Sequence, residues 1–215
     1  MKIKVLAVAL FVMTLCIFAQ DKVGYINMSD VFEQYYKTLN ANIIFENKKK
    51  EYDDKMTMMG SDLEMSLRDV RTVEAEAKNE LLAQNVREEA ARKYRIKAEL
   101  FQTKRNEFER SRQQGMAELR RLREETEEML VKELRALIDT YATTNGYTHI
   151  YDVSGNSLNR MPFILVYPKQ QEISAAFLAS IQAGHDAEIK DAKAKLEAMR
   201  ESAKKNALTP EAKQQ

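Results

Sequence analysis

The stretch LLAQNVRE at 81–88 interrupts an otherwise unbroken helical pattern. Asn85 with Glu88 three residues on has the make-up of a capping box, so a second helix is expected to start there. Before it, apolar residues recur at Tyr52, Met56, Met59, Leu63, Leu67, Val70, Ala77 and Leu81, mostly three or four apart. After it they recur at Ala90, Tyr94, Ala98, Phe101, Phe108, Met116, Leu119, Leu122, Met129, Leu137 and Tyr141. That spacing is helical. From Ala41 to Asn145 there is no proline, and the only glycines are Gly60 and Gly115. A single helix of that length cannot bury itself in a compact domain. The chain is therefore expected to fold back, with its tip near Ala83–Asn85. Gly60 is the rival break, but it leaves no returning limb of matching length.

Charge argues for the same fold-back. Residues 51–80 carry four basic and nine acidic side chains, whereas residues 87–123 carry twelve basic and six acidic. Folding at 83–85 lays the acidic limb against the basic one. Exposed pairs are each worth less than ~1 kcal/mol, so they set register more than stability. Two solvated faces that merely differ in charge remain the alternative. The seam is expected at Met56, Met59, Leu63, Leu67 and Val70 against Tyr94, Phe101 and Phe108. At about 100° per residue, Met58 and Met65 fall on the face opposite that seam. Flexible apolar side chains off the seam suit loose binding of many sequences. Against this stands the ordinary occurrence of single exposed methionines.

Outside the hairpin lie short β-like runs: KVGYIN at 22–27, YTHIYDV at 147–153, and Phe163–Tyr167 bracketed by Pro162 and Pro168. They predict three short strands. Asn145-Gly146 reads as a helix stop. Ser29 is the expected cap of a short helix over Asp30–Leu39, and a last helix is expected from Ser174 to about Ala207. The fold class is α+β: a long antiparallel helical hairpin with a small β body. The expected organisation is a leader over 1–20, a strand and short helix over 21–40, and hairpin arms over 41–145. The remaining strands and the start of the last helix follow at 146–182, and a charged helical extension with a loose tail at 183–215.

Residues 1–20 combine Lys2 and Lys4, an apolar run from Val5 to Phe18, and Ala19-Gln20. Those are the parts of a cleavable secretory signal. An apolar run of about 14 residues is short for ~30 Å of hydrocarbon, though an uncleaved anchor is the rival reading. Cys16 is the only cysteine, so the mature chain is expected to be exported without disulfides. Without the leader, 32 basic face 33 acidic side chains. That balance gives no general argument for nucleic acid or acidic lipid. No glycine-rich phosphate loop occurs, and His149 and His185 lie in no ligand pattern. The carboxylates are spread along helices. No catalytic residues, metal or cofactor are expected, and the chain does not read as an enzyme.

The order of these parts carries a resemblance: KVGYINMSDVFEQY, a charged hairpin with FQTKRNEFERSRQQ on its returning limb, then NGYTHIYDVSG and a terminal helix. Over most of 22–182 this resembles the Skp/OmpH family of periplasmic chaperones. The resemblance implies an ATP-independent periplasmic holdase that keeps unfolded outer-membrane β-barrel proteins from aggregating. It also implies a jellyfish-shaped homotrimer, with strands forming the hub and hairpins the tentacles, and no membrane insertion after signal cleavage. Val23, Tyr25, Ile150, Ile164 and Val166 would then build the trimer hub, and Met58 and Met65 would touch clients. The rival reading is a structural coiled-coil protein of the cell envelope with one fixed partner. This chain departs from the family pattern in Glu172-Ile173-Ser174, where an Asp-Ile/Leu-Thr triplet is usual, in its near-neutral charge, and in the extension from Ala183 onward.

Overall fold

A computed structural model describes residues 21–207. The expected signal sequence and the LTPEAKQQ tail lie outside the described residues. The elements run β1 (Val23–Ile26), α1 (Met28–Gln34), α2 (Tyr36–Lys78), α3 (Gln84–Asn145), β2 (His149–Asp152), a 3-10 turn (Lys169–Gln171), α4 (Ser174–Ile181) and α5 (Asp186–Ala207). Two compact units divide them: residues up to Leu39 with Met129–Ala194, and Asn40–Glu128 with the residues from Lys195 on.

In the first unit, β1 and β2 pair in parallel, with Val23 opposite His149 and Ile26 opposite Asp152. Parallel neighbours need a long crossover, and here the whole of the two long helices supplies it. Ile26, Val31, Tyr35, Leu130, Leu134, Ile173 and Phe177 form a buried core. Phe177 meets Tyr141 edge-on, ring centroids 5.3 Å apart. Gly24 lies in close quarters: a Cβ there would come within 3.1 Å of the Ile173 and Tyr147 side chains, which would have to shift by a few tenths of an ångström to admit it. The N–H of Ile173 donates to the Tyr25 carbonyl at 2.8 Å, and the N–H of Asn27 donates to Ser174 Oγ at 2.8 Å. These bonds fasten the start of α4 to the end of β1.

Five local expectations differ from what is found. The short helix expected over Asp30–Leu39 is α1, which ends at Gln34, and Tyr36–Leu39 already belong to α2. Asn27, not Ser29, caps α1, its side chain accepting from the Asp30 N–H. Asn27 holds extended backbone one residue before the helix, the conformation that a cap requires. The run Phe163–Tyr167 is not a strand. Its neighbourhood has only an isolated bridge, Asn156 to Pro162, and the flanking prolines remove ladder donors. The last helix is broken, with α4 ending at Ile181 and α5 starting at Asp186. Between them Gly184 takes φ +85°, a left-handed conformation that stops a helix. At the hairpin tip the link is 79–83, and Asn85 lies inside α3 rather than capping it. The Leu81 N–H is held by Asn79 Oδ1 at 3.0 Å, so Asn79 shapes the turn.

One part-buried polar cluster gives a pH prediction. The Tyr35 hydroxyl donates to Glu133 Oε1 at 2.9 Å, and Lys37 Nζ donates to the same oxygen. The Lys37 hydrogen bond chiefly holds the Glu133 carboxyl below its ordinary range. Burial, aided by Glu133, pushes the Tyr35 phenol up. A depressed carboxyl contributes stability above its unfolded pKa of about 4.3, and loses it as pH falls through the folded value. Glu133→Gln is therefore expected to cost about 1 kcal/mol at pH 7, a shift of roughly 2–4 °C in Tm. The difference from the unaltered protein should shrink below about pH 4, and Tm against pH for both forms checks it.

Candidate functional site

In the second unit the two limbs pack through residues seven apart. Val70, Val73 and Ala90 are buried, and Met56, Met59, Leu63, Leu67, Tyr94, Phe101 and Phe108 are half-buried. Val73 had not been singled out, although its spacing of seven from Ser66 and three from Val70 is a seam signal. Gly115 continues the series Tyr94, Phe101, Phe108 at the same interval. The Tyr52 ring occupies the space that a Cβ on Gly115 would need, and the Tyr52 hydroxyl donates to the Arg112 carbonyl at 3.3 Å. Tyr52 and Gly115 thus form a knob and a notch that set the register of the limbs. An open groove of about 270 Å³ beside them is lined by Lys48, Lys55, Glu118, Leu119 and Leu122 among others.

Ion pairs repeat with the same register. Lys104 reaches Asp62 at 2.8 Å and Lys97 reaches Asp69 at 2.5 Å. The contact to Lys97 draws the Asp69 carboxyl below its ordinary range. Here the acidic outgoing limb does meet the basic returning one. Nearer the base, Arg123 of the returning limb instead lies over the Phe45 ring at 4.1 Å.

Met58 is 75% exposed and Met65 is 52% exposed. The two methionines stand clear of the seam, and so do Ile96 and Leu100 on the returning limb, 69% and 50% exposed. Those last two were missed. Their signal was available as apolar residues that fall between the seam positions.

The residues expected at a hub lie in the first unit. Val23, Tyr25, Ile150 and Ile164 are half-exposed, and Val166 is 90% exposed. Tyr25 is stacked between Tyr151 and Tyr167, at centroid distances of 5.9 and 5.0 Å. Leu158, Met161, Phe163 and Leu165 also face outward. From Leu158 to Val166 the single chain thus leaves several apolar side chains uncovered, with Asn159 and Arg160 between the first two.

The two histidines have structural surroundings. His149 contacts Thr148 Oγ1. His185 stacks on Tyr36 at 3.8 Å and contacts Glu188 at 2.8 Å. Among the described residues no group of His, Cys, Asp or Glu is placed to hold a metal. No described helix is long and apolar enough to cross a membrane.

The fold defines a class: a mostly helical protein with two long helices in a hairpin and a small parallel strand pair. The family described as outer membrane protein (OmpH-like) is matched over residues 22–181, and the chain belongs to it. No curated protein matches the chain.

Proposed function

We propose that this protein is an ATP-independent periplasmic holdase, a homotrimer that binds unfolded outer-membrane β-barrel proteins and prevents their aggregation. Membership of the OmpH-like family supports a chaperone of outer-membrane proteins rather than an enzyme. The observation that carries the reading is on the hairpin, where Met58 and Met65 stand exposed among charged side chains. Weak apolar contacts repeated on several arms hold a client tightly in sum, without any enclosed pocket. Met58 and Met65 are the proposed client contacts. Met56, Met59, Leu63, Leu67, Val70, Tyr94, Phe101 and Phe108 are the proposed seam. Val23, Tyr25, Ile150, Ile164 and Val166 are the proposed trimer hub, supported by the uncovered apolar run around Val166.

The test is dilution of a urea-unfolded β-barrel protein into buffer containing the mature protein and no nucleotide. Light scattering should stay near baseline at about one trimer per client. Unchanged aggregation, together with stable capture of one folded envelope protein, would overturn the holdase and return the structural coiled-coil reading.

A further inference from the structure

The ion pairs of the hairpin reveal which of its flanks belong together. On α2, Asp62 and Asp69 precede the seam residues Leu63 and Val70 by one position. On α3, Lys97 and Lys104 follow Tyr94 and Phe101 by three. With a seven-residue repeat at about 103° per residue, Asp62 and Asp69 lie about 100° to one side of their seam, and Met58 and Met65 about 50° further round the same way. On α3 the same count puts Lys97 and Lys104 about 50° to one side, Leu100 about 100° and Ile96 about 150°. Because Lys97 holds Asp69 and Lys104 holds Asp62, these two flanks face each other. Met58, Met65, Ile96 and Leu100 therefore share one side of the hairpin.

The other side differs. Arg71 and Arg95 each follow a seam residue by one position, about 100° in the opposite sense, and Arg105 follows Phe101 by four. The tip half of the hairpin thus has one side that carries these four apolar residues, with Asp62 and Asp69 paired to Lys104 and Lys97 and Arg68 three residues after Met65. Another side carries Arg71, Arg95 and Arg105.

We propose that the apolar side is the client face, composite across both limbs, and that it takes an extended segment with alternating apolar residues. This rests on the holdase reading and deepens it. Pairing Asp62 with Lys104 and Asp69 with Lys97 sets the levels of the two limbs. Met58, Met65, Leu100 and Ile96 then span roughly 18 Å along the axis at 1.5 Å per residue. An extended strand covers that in about five or six residues at ~3.3 Å each, presenting about three apolar side chains on one face. The ion pairs Asp62–Lys104 and Asp69–Lys97 neutralise one another beside those four side chains, so the exposed surface that remains to be covered there is chiefly apolar and fits an apolar segment. Four side chains expose a few hundred Å² at most, well short of the ~800 Å² per partner of a stable protein interface. A second copy of the hairpin is thus a poor occupant, whereas a weakly held, replaceable segment fits.

The test uses the full-length mature protein and three double variants: Ile96→Ser with Leu100→Ser, Met58→Ser with Met65→Ser, and Arg95→Ser with Arg105→Ser. The probe is a fluorescent ten-residue peptide alternating Val, Leu and Tyr with Thr and Ser, read by anisotropy alongside the aggregation assay. Both apolar-side variants should bind the peptide at least fivefold more weakly, with unchanged mass and melting. The arginine variant should bind it as the unaltered protein does. Equal binding by all three, with the unaltered protein still suppressing aggregation, would overturn the client face and leave the holdase standing. No suppression by the unaltered protein would overturn the holdase itself. A fall in mass on replacing Ile96 and Leu100 would overturn the proposal by showing that this side pairs with a second copy.

Discussion

Phe177→Ala is expected to destabilise the β1–β2 unit by about 3–5 kcal/mol. Phe177 is 0% exposed. It is the one buried side chain of the short helix α4, and it holds that helix against Tyr141. Its removal leaves a cavity that the surroundings cannot close, since α4 is tied at both ends. Ser174 accepts from Asn27 at the start, and Gln182 donates to the Gln34 carbonyl at 2.6 Å at the end. The measurement is urea unfolding followed by near-ultraviolet tyrosine signal, which reports this unit through Tyr25, Tyr35, Tyr141 and Tyr147. Phe177→Leu should lose far less, because most of the volume remains. A loss under about 1 kcal/mol for the alanine form would show that the core does not depend on this ring.

Replacing Ile164 and Val166 with Asp is expected to abolish the proposed assembly. Two carboxylates per subunit would have to be buried against neighbouring copies, each at several kcal/mol unless paired. The expected result is a monomer by light scattering at micromolar concentration, with far-ultraviolet helix signal nearly intact. Neither residue is buried within the single chain, so the substitutions leave its own core untouched. A trimer that survives both would remove Ile164 and Val166 from the interface. A monomer in the unaltered protein would remove the trimer altogether.

How much of this was legible in advance differs element by element. The hairpin was written in a proline-free run with apolar residues mostly three or four apart, a local signal that neighbours cannot easily override. The stop at Asn145 was equally local, because Gly146 takes φ +71° where the helix ends. Phe163–Tyr167 had the composition of a strand, yet a strand exists only where a neighbouring strand pairs with it, and this run joins neither β1 nor β2. Composition cannot report that. Gly184 was visible as a residue, but whether a glycine ends a helix or rides through it depends on packing, as Gly60 inside α2 and Gly184 between α4 and α5 illustrate.

Sequence alone determined the long hairpin, its approximate tip and the family resemblance, because periodicity, helix breakers and the order of short motifs are properties of neighbouring residues. Only the tertiary structure decided that β1 and β2 run parallel, that Tyr52 fills the notch at Gly115, and that Met58 and Met65 share a side with Ile96 and Leu100. Each of those depends on which residues meet across the fold. Register between two helices is set by a few cross-limb contacts such as Asp62 with Lys104, and no periodicity along one chain specifies them.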